Sequence, residues 1–206
     1  LNHHLGKEDD AHQDFRNNIE TWYDEHLKGN LDAILSNTSG CGTTMKDYGF
    51  IFKDDEKMKK KAKVISDLTK DVSEYLNENL KLNFKSKEKK YKIAYHSACS
   101  MQHGQKVHNQ PMELLAKTHN EIMEIPEGHI CCGSAGTYNI LQTKIAKELL
   151  DKKVKNIESL KPDFISTGNI GCITQIANGT KTPILHTIEI LDWYTGGPKP
   201  KILQKN

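Results

Sequence analysis

The sequence predicts an α/β protein of two pseudo-repeated lobes, each a short parallel sheet flanked by helices. Three observations carry that expectation. Stretches with apolar residues at helical spacing alternate with short apolar segments that end in turns, which is the pattern of βαβ units. Two of the short segments echo each other. Asp32-Ala33-Ile34-Leu35-Ser36 begins nine residues before Cys41, Asp163-Phe164-Ile165-Ser166 begins nine residues before Cys172, and both cysteines follow a glycine. Upstream, Asn18-Ile19-Glu20 is matched by Asn156-Ile157-Glu158, so the repeat extends beyond the turns.

In chain order, residues 11 to 28 carry Phe15, Ile19, Trp22 and His26 at helical spacing, and residues 56 to 80 carry Met58, Ala62, Ile65, Leu68, Val72, Tyr75 and Leu80 likewise. Both read as amphipathic helices, the second continuous. Between them residues 31 to 36 form a buried strand that ends in the turn before Cys41, and residues 42 to 52 open a further helix. Residues 85 to 92, with Lys85, Lys87, Lys89 and Lys90 and no apolar period, form a linker. Lys92 to His96 is a strand leading to Cys99. A helix runs from Val107 to His119, a short segment at His129 and Ile130 leads into Cys131 and Cys132, and residues 140 to 157 form a third amphipathic helix. Asp163 to Ser166 is a strand leading to Cys172. Each cysteine therefore falls in a strand-to-helix turn, at the edge of a parallel sheet where ligands collect.

Composition narrows the function classes. The 206 residues suffice for a large domain or two small lobes, and 29 basic against 27 acidic side chains leave no global field to recruit nucleic acid. No apolar run approaches the roughly 20 residues a transmembrane helix requires, and no signal peptide opens the chain, so the expected location is cytoplasmic or peripheral on the inner membrane. Five cysteines, an odd number, argue for reduced thiols rather than a disulfide scaffold.

Cys131 and Cys132 admit four readings. Adjacent Cα atoms across a trans peptide are about 3.8 Å apart, too close for a relaxed disulfide. Burial as small hydrophobes explains one cysteine more readily than two in the glycine-flanked turn Gly128-His129-Ile130-Cys131-Cys132-Gly133. A nucleophilic thiolate needs a positioned base, and only His129 is near in the chain. Metal ligation draws on Cys99, 31 intervening residues before Cys131, and Cys172, 39 after Cys132. Four thiolates suit a structural zinc or an iron–sulfur cluster, and adjacent ligands suit a multi-iron centre in which each sulfur takes its own iron. Gly133 and Gly136 would let backbone approach the sulfurs.

The segment Cys131-Cys132-Gly133-Ser134-Ala135-Gly136-Thr137-Tyr138-Asn139-Ile140-Leu141-Gln142, with His96-Ser97-Ala98-Cys99-Ser100-Met101-Gln102-His103-Gly104-Gln105-Lys106 before it, resembles the cysteine-rich CCG domain of glycolate oxidase (glycolate dehydrogenase) iron–sulfur subunits. Asn169-Ile170-Gly171-Cys172, Ser39-Gly40-Cys41-Gly42, Lys46-Asp47-Tyr48-Gly49 and the opening Leu1 to Gly6 extend the resemblance to essentially the whole chain. It implies that residues 1–84 are the carboxy-terminal part of a first cysteine-rich repeat, that 85–92 link, and that 93–206 are a complete second repeat. The family's ferredoxin-like domain would then lie outside these residues.

The resemblance further implies an oxidoreductase subunit that carries electrons from a flavoprotein partner, which oxidises glycolate, toward a respiratory-chain acceptor. Cys99, Cys131, Cys132 and Cys172 would hold an iron–sulfur cluster of the 4Fe-4S type, with zinc the alternative metal in a docking module. Relatives in the heterodisulfide reductases end each repeat in Cys-x-x-Cys. Here Cys172 is followed by Ile173-Thr174-Gln175 and Cys41 by Gly42-Thr43-Thr44, so the fifth thiol of their larger cluster is missing. Cys41 would require partners upstream of Leu1. His3, His4, His103 and His186 are further candidate ligands, and Lys46 and Lys106 candidate counter-charges.

Overall fold

The computed structural model describes residues 2–85 and 89–204. The first lobe runs α1 (Glu8–Leu27), β1 (Ile34–Ser36), α2 (Ser39–Lys46), α3 (Tyr48–Ile51), α4 (Lys59–Leu68), β2 (Thr69–Asp71) and α5 (Val72–Asn79). Its strands pair in parallel, Ile34 opposite Thr69 and Ser36 opposite Asp71. Phe15 and Ile19 of α1 pack with Tyr48, Phe52 and Ile65 in one core, which is the burial expected of the apolar stripe read from α1.

The continuous helix expected over residues 56 to 80 is broken by β2. Thr69 is buried against β1, and Asp71 leaves the helical conformation to start α5 with a capping box. Its carboxylate accepts from Ser73 N at 2.9 Å while the Glu74 carboxylate accepts from Asp71 N at 3.1 Å. The Asp-x-x-Glu signature was present in the sequence, inside an apolar period that concealed it. Similarly, α2 starts at Ser39 rather than at residue 42, so Cys41 sits inside its first turn.

The second lobe runs β3 (Lys92–His96), a π-helical turn (Ser100–Gln105), α6 (Gln110–Ala116), β4 (Glu121–Glu124), α7 (Tyr138–Leu141), α8 (Thr143–Ser159), β5 (Phe164–Thr167), α9 (Ile170–Ala177), β6 (Ile184–His186) and α10 (Thr187–Thr195). All four strands are parallel, in the order β4-β3-β5-β6. Residues alternate between the faces. Ile93, Tyr95 and Phe164 join Leu114 of α6 and Trp193 of α10 on one side, and Ala94 and Ile165 join Val154 and Ile157 of α8 and Ile176 of α9 on the other.

Three features were not anticipated. β4 lies at 121–124, and His129 and Ile130 belong to a turn in which Ile130 N donates to Glu127 O. Strand β6 and helix α10 complete the sheet after residue 180. The helix expected over 107 to 119 is confined to α6 because Val107 is still held by the preceding turn, its N–H donating to Met101 O. The expected linker falls partly on residues 86–88, outside the described residues; its first residue is fixed to the second lobe, Lys85 N donating to Tyr194 O at 2.7 Å.

The repeat read from the sequence is visible in the elements. Cys41 and Cys172 are each the third residue of the helix that follows a strand, and Asp71 and His186 each cap the helix after the next strand with a capping box. The lobes meet through α2 against the turn at 100–105 and α5 against α6. Among the described residues no helix is long and apolar enough to cross a membrane.

Candidate metal centre

In the second sheet the chain leaves β3 toward β4 on one side and returns to β5 on the other. The crevice at this reversal lies beyond the carboxyl ends of β3 and β5, where open parallel sheets bind ligands. Cys99 follows β3 by three residues, and Cys172 lies in the first turn of α9 after β5. The loop between β4 and α7 brings Cys131 and Cys132 to the same place. Cys132 and Cys172 lie within 4.8 Å of one another, and Cys99 and Cys131 are close enough for each to shift the other's protonation and that of this pair, so four sulfurs from three segments act on one another. Cys132 and Cys172 are buried, while Cys99 and Cys131 are half-buried toward solvent.

Local structure fixes each thiol. The Asn169 side chain caps α9 by accepting from Cys172 N at 3.2 Å. Its amide donates at 2.8 Å to the hydroxyl of Ser39 in the first lobe, which also pairs with Ser100 Oγ at 2.7 Å. Ser39, fully buried, thus ties the turn after Cys99 to the cap that holds Cys172. The loop turns back at Gly133, whose φ of +92° favours glycine and where a Cβ would collide with the Ala146 carbonyl oxygen of α8. Gly133 N donates to Cys131 Sγ at 3.3 Å, and Asn139 Nδ2 donates to Gln175 Oε1 at 3.0 Å, fastening the loop to α9.

The sulfurs share protons unequally. Hydrogen bonds from Cys132 and then Cys99 hold the Cys131 thiol far below its ordinary pKa, and the Cys132 hydrogen bond lowers Cys172 despite its burial. Donation to Cys131, added to burial, pushes Cys99 up, and donation to Cys131 and Cys172 does the same to Cys132. Lys153 of α8 faces the sulfurs, 1% exposed. Its ammonium donates to the carbonyls of Glu127 at 3.3 Å and Gly128 at 3.4 Å; burial lowers its pKa while Cys132, Cys131 and Cys172 oppose that shift.

The remaining candidates lie elsewhere. Cys41 is exposed and takes no part in the contacts of the quartet; it lines an open cleft of about 450 Å³ with His3, His4 and Tyr48. His186 caps α10, its Nδ1 accepting from Ile188 N at 3.1 Å and its Nε2 lying 2.7 Å from Asn37 O. His103 is exposed, and so is Lys106, whose φ is +59°. Lys46 is engaged by Glu74 at 2.6 Å.

One residue at the centre carries no motif of its own in the sequence. His96 ends β3, is 2% exposed, and its ring nitrogen and the sulfurs of Cys132 and Cys172 all lie within 4.8 Å of one another, a group that could hold a metal ion. The signal was a polar residue closing the apolar run Ile93-Ala94-Tyr95, three positions before a cysteine.

The α/β crevice carries four thiols, and residues 93–177 match the model of a cysteine-rich domain designated CCG. Across 194 residues the chain is 36% identical to the glycolate oxidase iron-sulfur subunit of Escherichia coli (strain K12), a match that covers 93% of this chain and 47% of that relative. It is also 25% identical over 167 residues to lactate utilization protein A of Geobacillus sp. (strain WCH70), covering 78% of this chain and 70% of the relative. The corresponding protein of Bacillus subtilis (strain 168) is 26% identical over 189 residues, 89% and 77% of the two chains. The chain thus spans about half the length of the glycolate oxidase subunit.

Proposed function

We propose that the chain is the cysteine-rich part of an electron-transfer iron–sulfur subunit in an oxidoreductase complex that oxidises a small 2-hydroxy acid, glycolate being favoured by the 36% identity. Residues 93–206 form the repeat that holds the metal and residues 1–84 the carboxy-terminal part of a preceding repeat, joined through 85–92. The observation that carries the reading is the convergence of Cys99, Cys131, Cys132 and Cys172 at the switch point of the sheet.

Cys99, Cys131, Cys132 and Cys172 would hold a cluster of the 4Fe-4S type, and when bound the cluster supplies a one-electron store. The protein contributes the rest. Cys132, Cys172 and the apolar core beneath them exclude water, Gly133 N and Lys153 offset negative charge on the sulfurs, and the half-buried Cys99 and Cys131 face the side from which electrons enter and leave. The donor would be a flavoprotein of the same complex, and the acceptor would lead to the respiratory chain. A zinc-holding docking module is favoured instead by one feature, the compact group of His96, Cys132 and Cys172, which suits a single tetrahedral ion. Anaerobic purification with metal and sulfide analysis decides. Iron with matching sulfide and brown absorption supports electron transfer, colourless protein with one zinc supports docking, and metal-free protein after reconstitution refutes both.

A further inference from the structure

The thiols are not the whole donor set. Both ring nitrogens of His96 are buried and neither makes a hydrogen bond of ordinary geometry. A polar group buried in that way costs on the order of 1–3 kcal/mol per unmade bond, so an imidazole is retained there only if something satisfies it. Its neighbours offer little: Ile93, Ala94 and Tyr95 precede it on β3, and its register partner Thr167 on β5 also buries an unpartnered hydroxyl. What the imidazole does face is the sulfur of Cys172, whose pKa it lowers by a hydrogen-bonding effect beyond ordinary bond geometry and by charge, and the sulfur of Cys132.

Nitrogen and sulfur ligands around one tetrahedral metal are roughly 3.5–3.8 Å apart, given metal–nitrogen and metal–sulfur bonds of about 2.0–2.3 Å. Three donors already within 4.8 Å of one another need about an ångström of adjustment to meet on one ion. His96 closes a series of donors that runs Cys99, Cys131, Cys132, Cys172, His96, with the imidazole at its buried end.

We propose that His96 is a direct ligand through a ring nitrogen, sharing a single tetrahedral ion with Cys132 and Cys172 or, in a 4Fe-4S cluster, replacing one thiolate as an iron's only protein donor, so that the centre is bound by a mixed imidazole and thiolate set. This rests on the reading above that the cysteines hold a metal. A neutral imidazole adds no negative charge where a thiolate would add one, so it raises the reduction potential of an iron–sulfur centre relative to an all-cysteine set. It also makes the buried end the less negative one.

The test is pulsed electron paramagnetic resonance of the anaerobically purified, reduced protein, produced with natural and with ¹⁵N-labelled histidine. A large nitrogen hyperfine coupling that changes isotope with the label, and is absent from His96→Cys at undiminished iron content, is the expected result. The wild-type measurement stands alone should the variant fail to fold. If the metal is zinc, X-ray absorption reads the same question as nitrogen in the first coordination shell. A centre with iron or zinc present and no directly bonded nitrogen overturns the assignment of His96 while leaving the cysteine site intact. Protein that holds no metal as isolated or after reconstitution overturns both.

Discussion

The side-chain amide of Asn169 donates to the hydroxyl of Ser39 at 2.8 Å, joining residues 130 positions apart and lying in different lobes. The same hydroxyl pairs with Ser100, so one buried oxygen braces two of the three segments that bring thiols to the crevice. Ser39→Ala leaves the Asn169 amide without its partner and is expected to lower the stability of the metal-free protein by about 1–3 kcal/mol. Urea unfolding measures that loss. Metal release to a chelator should accelerate in parallel, since the cap that fixes Cys172 is no longer braced; unchanged release would show that the brace serves folding alone.

Gly133→Ala places a side chain where φ is +92° and where the Ala146 carbonyl already stands. Backbone strain of about 1–3 kcal/mol adds to the collision, so the loop must open. The expected outcome is a folded protein by far-ultraviolet circular dichroism that binds less than half the wild-type complement of metal. Full metal content in this variant would mean that the turn is dispensable.

Lys153→Met removes a buried cation while keeping the length of the side chain. With iron bound, losing a positive charge that acts on Cys132, Cys131 and Cys172 stabilises the oxidised form, and the reduction potential should fall by tens of millivolts. Spectroelectrochemical titration reads the shift. A rise, or no change, would assign Lys153 to holding the Glu127 and Gly128 carbonyls only.

Acid stability should report the ion pair of Lys46 with Glu74, whose oxygen and nitrogen are 2.6 Å apart with side chains 12% and 18% exposed. Burial works to raise the Glu74 pKa, but hydrogen bonding and attraction by Lys46 outweigh it and hold the pKa below 4.5. A carboxyl with a folded-state pKa below its unfolded one stabilises the fold above the unfolded value and loses that contribution as pH falls through the folded value. Asp71 runs the other way: burial raises its pKa despite the Ser73 bonds, so its contribution fades as pH rises. Lys46→Met should therefore cost about 1–3 kcal/mol at neutral pH and flatten the loss of stability below pH 4.5. Lys70, 3.2 Å from the other Glu74 oxygen, preserves a residual slope. Thermal unfolding across the acid range, wild type beside variant, checks it.

The sequence disclosed what periodicity and repetition encode. Helix α8 and strands β3 and β5 were legible because their apolar residues recur at one period and face one core, and the match of Asp32 to Cys41 with Asp163 to Cys172 exposed equivalent strand-to-helix turns. β2 was hidden because three residues between two helices carry no period of their own; only the pairing with β1 makes them a strand. β4 has an edge position and a half-exposed pattern that gives no apolar run. At the crevice the cysteines announced themselves by adjacency and turn placement. His96 did not, because one histidine at the end of an apolar strand looks the same whether it meets sulfur or solvent. What distinguishes it is the lack of any nitrogen or oxygen partner, which only packing reveals.

Cys99 and Cys172 sit 73 positions apart and approach only when β5 has docked beside β3. A metal held by this quartet would therefore load only after β5 has been made and docked, not piecemeal as each cysteine leaves the ribosome. Until then the thiols of Cys132 and Cys172, buried in the folded chain, are open to oxidants, a hazard of assembly that adds to any the loaded centre carries.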